Sequence, residues 1–285
     1  MDENLAVMDE DEVHADRVAA ILAAVEAADR AVQLAELGAV DRGHGLAHEV
    51  QHAVAVHHVA VHDVAVVKAR GEAVGESCVR PLAYFDNNIS GTINLLQAMQ
   101  AADVQRLVFS SSATVYGDPE KVPVTEDCHL DATNPYGRTK LVVEQLIGDL
   151  CRAQTSFRVA NLRYFNPVGA HPSGLIGEDP AGIPNNLMPF ICRVAAGRSR
   201  KLSIFGGDYP TPDGTGVRDY IHVTDLAQAH VDALEYLATA DRSLTVNLGT
   251  GRGISVLELV RAFEQASGRD IPFEIVGRRP GDAAQ

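Results

Sequence analysis

The chain has 285 residues, of which 46% are hydrophobic, and a formal net charge of −14 at pH 7; this suits one large α/β unit or two closely joined lobes with an ample core. The negative balance argues against a nucleic-acid backbone as partner, and no stretch of about eighteen apolar residues occurs, so no membrane span is expected. Four cysteines, Cys78, Cys128, Cys151 and Cys192, stand far apart, and the acidic amino end lacks the basic start of a signal peptide. Both features point to a reduced, cytoplasmic setting.

Residues 1–72 are unlike the rest. They contain no Ser, Thr, Pro, Phe, Tyr or Cys, hold seven of the eleven histidines, and carry fourteen acidic against five basic residues. That is not the composition of an ordinary globular domain. A helix is possible over Asp16 to Leu37, where Val18, Ile21, Leu22, Val25, Ala28 and Val32 share a stripe, and the alternation from Ala53 to Val67 suits a strand. The histidines from His44 to His62 follow no metal-ligand spacing, and no H-E-x-x-H or paired-Cys motif accompanies them, so no metal is expected.

Past residue 72 the pattern becomes that of alternating helices and strands. Tyr84 to Ala102 reads as a helix bearing Ile93, Leu95, Leu96 and Met99, and Val104 to Ser110 as a buried parallel strand. Asn134-Pro135 opens a helix through Leu141, Val142, Leu146 and Ile147. A strand follows over Phe157 to Tyr164, then a loop rich in Pro and Gly from Asn166 to Pro184 that leaves the sheet for a smaller lobe. A helix over Leu187 to Ala196, a strand over Leu202 to Phe205, a helix over Asp225 to Leu237 and a strand over Leu244 to Leu248 come next. Ser255 caps a last helix reaching Ala266. Such alternation implies a Rossmann-like α/β fold, a parallel sheet with helices on both faces. Gly249 to Gly253 has the spacing Gly-x-Gly-x-Gly and reads as a tight strand-to-helix turn rather than a dinucleotide loop.

The chemistry concentrates at Tyr136 and Lys140. Four residues apart on a helix, they share a face, so that an ammonium beside the phenol favours phenolate and makes a base. The preceding run Ser110-Ser111-Ser112-Ala113-Thr114-Val115-Tyr116-Gly117 ends a strand, where open α/β sheets place their chemistry. A serine there can relay or orient the proton.

These motifs, with Arg163 to Gly174, Gly177 to Pro180, Gly182 to Pro189 and Asp213 to Val223, resemble the UDP-glucose 4-epimerase family of extended short-chain dehydrogenases/reductases. The resemblance runs from about Ala73 to Asp282. It implies NAD as cofactor and the interconversion of UDP-glucose and UDP-galactose, in galactose metabolism, by transient oxidation at sugar C4. It further implies Tyr136 as base, Lys140 as its activating and ribose-binding lysine, and Ser112 as the hydroxyl bridging Tyr136 and the sugar. Asn87, Ser110 and Phe165 match cofactor-contacting positions, together with Tyr136 and Lys140. Asn166, Asn186, Arg218, Arg279 and Asp282 match positions holding UDP, the arginines as diphosphate clamps. For Arg218 the competing reading is a salt bridge with Asp219 or Asp225. A 4,6-dehydratase on this fold would carry an Asp-Glu pair where Ala113-Thr114 stands. Family dimers pack helices corresponding to those of Tyr84 and Tyr136, so a homodimer is possible.

The family opens with a Gly-x-x-Gly-x-x-Gly turn and an acid that holds ribose, and residues 1–72 contain neither. Either this is a genuine alternative segment, or the reading frame is wrong as far as Glu72; the abrupt switch there favours the second. The expected organisation is an atypical segment 1–72, a remainder of the dinucleotide-binding domain 73–165, and a UDP-sugar lobe 166–285 shortened at its carboxyl end. On this reading the chain retains little NAD and epimerises UDP-galactose negligibly. The alternative function is an inactive remnant that binds UDP-sugar without NAD.

Overall fold

The computed structural model describes residues 64–67 (backbone only), 74–178, 184–279 and 282–285. The expected helix over Asp16 to Leu37, the histidines from His44 to His62 and Glu72 lie outside them. Of the expected Ala53 to Val67 strand, Val64–Val67 is present as β1 and pairs in parallel with β2, Arg106–Ser112.

The sheet order is β1-β2-β3-β7, all parallel, with β3 at Arg158–Tyr164 and β7 at Leu244–Leu248. Strand alternation assigns the two faces. From β2, Leu107 and Phe109 pack with Leu95, Leu96 and Met99 of α3 (Gly91–Ala101) and with Val143 and Ile147 of α4 (Pro135–Ala153). Val108 takes the opposite face with Ala160 and Leu162, against Ala233, Leu234 and Leu237 of α6 (Val223–Thr239). Burying each of the Leu, Val, Ile, Met and Phe side chains among these contributes about 1.5–3 kcal/mol. The Rossmann-like reading is therefore met, with helices on both faces.

Ahead of α3, α1 (Val74–Val79) and α2 (Pro81–Phe85) lead into a π-helical turn, Asp86–Ser90. The helix expected from Tyr84 thus begins at Pro81, where proline suits the first turn, and runs on through the π turn.

A second core joins α5 (Leu187–Ala195), β5 (Leu202–Phe205) and α7 (Val256–Ser267) through Ile191, Val194, Leu202, Ile204, Leu257 and Val260. β5 pairs with β9, Phe273–Val276. A further small sheet runs β4-β6-β8, with β4 Asn166–Val168, β6 Val217–His222 and β8 Gly253–Ser255. Two expectations change here. The Pro/Gly loop opens with strand β4, because Asn166 to Val168 align with Tyr220 to His222 in a pairing that no local pattern signals. The glycine turn after β7 leads first into β8, antiparallel to β6, and only then to α7. Ser255 begins α7 with a capping box shared with Glu258, and Asn134 caps α4 by accepting from Gly137 N–H at 2.8 Å.

Candidate active site

The three consecutive serines of β2 have three different partners: alternation sends Ser110 and Ser111 to opposite faces, and Ser112 ends the strand. Ser110 Oγ lies 2.9 Å from His230 Nε2 on α6. Ser111 Oγ donates to Glu144 on α4. Ser112 ends the strand and caps the 3-10 turn Ala113–Tyr116; its Oγ accepts from Thr114 N–H at 3.2 Å and Thr114 Oγ1–H at 3.0 Å. Both bonds are accepted, so the Ser112 hydroxyl keeps its own proton to donate.

The first turn of α4 is set tightly against that 3-10 turn. A Cβ at Gly137 would stand 2.7 Å from Thr114 O, so only glycine permits this approach. Tyr136 N–H donates to Ser77 Oγ of α1 at 3.2 Å. One turn on, Lys140 is fully buried, and its Nζ donates to Ser110 O at 2.7 Å. The ammonium lies 5.6 Å from the centre of the Tyr136 ring and 5.2 Å from that of Phe109. The sequence spacing of the pair is realised as a fixed charge beside the phenol.

Ser112 and Tyr136 face a cavity of about 910 Å³ that also reaches Phe165, Asn166, Asn186, Arg218, Arg279 and Asp282. Eight of the eleven residues expected at the site therefore share one space. Three do not line it: Lys140 lies behind Tyr136, Ser110 turns its side chain to His230, and Asn87, in the π turn, donates to Asn88 Oδ1 at 2.8 Å. For Ser110 the reason is the alternation of β2, which directs that side chain to α6.

The arginines that line the cavity already hold acceptors. Arg218 donates to Val217 O at 2.6 Å and Ala283 O at 2.9 Å. The alternative of a salt bridge with Asp219 or Asp225 is not met: Arg218 bonds neither, and Asp219 accepts instead from Thr250 N–H and Oγ1–H at 2.8 Å and from Gly251 N–H at 2.7 Å. That carboxylate fills the amide cradle of the glycine turn, so the turn is a protein-internal clasp rather than a phosphate loop. Arg279 pairs with Asp282 at 2.8 Å and lies 5.7 Å from the Phe205 ring centre. Asn186 donates to Glu178 Oε1 at 2.7 Å.

Several lining residues carry no sequence expectation: Tyr116, Phe205, Tyr220 and Asn247. Burial pushes the Tyr220 phenol up, opposed by Arg218. Burial likewise pushes the Tyr116 phenol up, against the pull of Arg163 and Asn247, so it stays protonated and donates to Asn247 Oδ1 at 2.7 Å. Tyr116 and Arg163 fall inside the quoted motifs, and an arginine within a strand that is otherwise buried is the signal that finds this cluster. No group of His, Cys, Asp and Glu able to hold a metal ion occurs among the described residues, and none of their helices is long and apolar enough to cross a membrane.

A parallel sheet with helices on both faces, and a Tyr-x-x-x-Lys pair beside the carboxyl end of a central strand, defines the Rossmann-like α/β class. The chain belongs to the NAD dependent epimerase/dehydratase family, whose model matches residues 28–249, reaching upstream of Ala73. It is 59% identical over 221 residues to the UDP-glucose 4-epimerase of Bacillus subtilis, covering 77% of this chain and 65% of that protein. Among solved structures it resembles a UDP-glucose 4-epimerase from Stenotrophomonas maltophila with bound NAD and formylated UDP-arabinopyranose, at 60% identity and a TM-score of 0.75 over 78% of this chain and 66% of that one. The Bifidobacterium longum UDP-glucose 4-epimerase in complex with NAD+ and UDP gives the same TM-score and coverage at 50% identity. The chain thus spans somewhat less than two thirds of the length of its Bacillus relative.

Proposed function

We propose that the chain carries the active site of an NAD-dependent epimerase interconverting UDP-glucose and UDP-galactose. One observation carries this reading: Tyr136, with Lys140 beside it, and Ser112 line the same cavity as Arg218 and Arg279, so a base and an anion clamp share one space.

Arg218 and Arg279 hold the diphosphate, each exchanging its present acceptor, Ala283 O or the Asp282 carboxylate, for phosphate oxygens. Asn166, Asn186 and Asp282 orient the rest of the UDP handle. The fixed handle leaves the hexose at the Ser112 end, where binding energy from the remote part positions the reacting carbon. Tyr136 takes the proton of the 4-hydroxyl, Ser112 donates a hydrogen bond to that oxygen, and Lys140 stabilises the phenolate from behind. The same phenol returns the proton when the 4-keto sugar, turned over in the cavity, is reduced on its other face.

The residues present fit NAD at its reactive end. The cavity reaches Val74 and Gly75, which follow β1 in the chain, and the carboxyl ends of parallel strands are where such cofactors lie. Tyr136 and Phe165, which line the cavity, would hold it there, with Lys140 buried beside Tyr136. The chemistry that NAD supplies when bound is reversible acceptance of hydride from sugar C4.

We further assign residues 73–165 to the cofactor half and 166–285 to the UDP-sugar half of the site, and place a homodimer contact on the helices of Tyr84 and Tyr136. A second reading, UDP-sugar binding without NAD, is favoured by one feature, the lack of a Gly-x-x-Gly-x-x-Gly turn in residues 1–72. Conversion of UDP-galactose to UDP-glucose with NAD supplied separates the two: the first reading requires it, and UDP binding without any conversion supports the second.

A further inference from the structure

Behind the cavity, α4 and β3 share a buried ion pair that the proposed reaction does not use. Glu144 and Arg163 are joined through Nε at 3.0 Å and NH2 at 2.6 Å, with side chains only 6% and 7% exposed. Burial alone would lower the guanidinium pKa, but Glu144 outweighs it and holds it above its ordinary value, so the guanidinium stays charged. A buried pair of this kind gains little stability over an apolar one, which directs attention to what it holds.

Arg163 NH1 donates to Tyr116 Oη at 2.9 Å, and the Tyr116 hydroxyl donates to Asn247 Oδ1. Asn247 in turn donates through Nδ2 to Val124 O at 3.1 Å and through its backbone N–H to Glu126 Oε1 at 2.8 Å. These bonds end on the connection between the 3-10 turn and α4, a stretch with no helix or strand from Asp118 to Asn134. Its Val122, Pro123 and Val124 line the cavity, together with Ser112, Thr114 and Tyr136.

We propose that the chain Glu144–Arg163–Tyr116–Asn247 is a positioning device that sets the 122–124 wall relative to Tyr136, and so governs recognition of the hexose but not of UDP. Glu144 rides on the same helix as Tyr136, two turns on, so the helix that carries the base also carries the anchor of the 122–124 wall. The Val122, Pro123 and Val124 side chains are apolar and act by shape, which makes their placement decisive. The hexose part of this proposal rests on the function proposed above; the tether itself does not.

The test uses the full chain and two variants. Tyr116→Phe keeps the ring and removes both hydroxyl bonds. The double variant Glu144→Leu with Arg163→Met removes the pair without stranding either charge. Amide exchange by mass spectrometry is expected to be about tenfold faster over residues 119–126 in each variant, the scale of one lost hydrogen bond, and unchanged over α4. UDP affinity should stay within about threefold of the parent while UDP-glucose affinity falls about tenfold. Unchanged exchange over 119–126 in Tyr116→Phe overturns the tether, and it does so even if the double variant does not fold. Equal loss of UDP and UDP-glucose affinity, or faster exchange with UDP-glucose affinity intact, overturns the role in hexose recognition. Faster exchange in variants of a parent that does not bind UDP-glucose supports the tether and refutes the substrate reading instead.

Discussion

Replacing Lys140 by methionine removes one charge from behind Tyr136 while keeping most of the side-chain volume. The ammonium lies 5.6 Å from the Tyr136 ring centre. Taking that centre as the mean position of the phenolate charge, an effective dielectric of about 20 gives an attraction of about 3 kcal/mol. The phenol without that charge is a poorer proton acceptor, and about 3 kcal/mol corresponds to a turnover lower by a factor of about 10². Stability should change less. The variant loses the charge-assisted bond to Ser110 O, on the scale of about 1.5–3 kcal/mol, but also loses the desolvation penalty of a fully buried ammonium, which has the opposite sign. The assay is conversion of UDP-galactose at saturating sugar nucleotide and saturating NAD, paired with UDP calorimetry and a thermal melt. Turnover within about threefold of the parent, in a folded protein that binds UDP normally, would refute the electrostatic role of Lys140.

Three further outcomes follow from the same geometry. Tyr136→Phe should lower turnover by about 10² or more with UDP affinity nearly unchanged, and near-normal turnover would remove Tyr136 from the base position. Arg218→Ala should weaken UDP by about 1.5–3 kcal/mol in calorimetry; equal affinity would mean that the guanidinium stays with Val217 O and Ala283 O in the complex. Asp219→Ala removes the acceptor of two backbone amides and one hydroxyl in the glycine turn, and should destabilise the chain by about 2 kcal/mol, read as a melting temperature lower by roughly 4–8 °C. An unchanged melt would show that the clasp is not formed in solution.

Local signals carried much of this structure. Leu202–Phe205 and Leu244–Leu248 have the bounds their apolar runs suggest, and Asn134 and Ser255 cap helices as their types and positions require. The spacing of Tyr136 and Lys140 translates directly into one helix face. What depends on partners distant in sequence was hidden. β4 exists because Asn166 to Val168 meet β6 more than fifty residues on, and the glycine turn is defined by a carboxylate thirty residues before it. The π turn that holds Asn87 has no distinct periodicity to read. Likewise the Glu144–Arg163 pair joins a helix and a strand whose facing sides are fixed only once the sheet is assembled, although alternation along β2 places Ser111 on the α4 side.

Epimerisation by this chain is tested most directly by conversion of UDP-galactose to UDP-glucose, measured with and without added NAD and repeated with Tyr136→Phe. Conversion should be negligible without added NAD, rise as NAD is supplied, and fall by about 10² in the variant. A protein that binds UDP but converts no UDP-galactose at any NAD concentration would contradict the proposed activity.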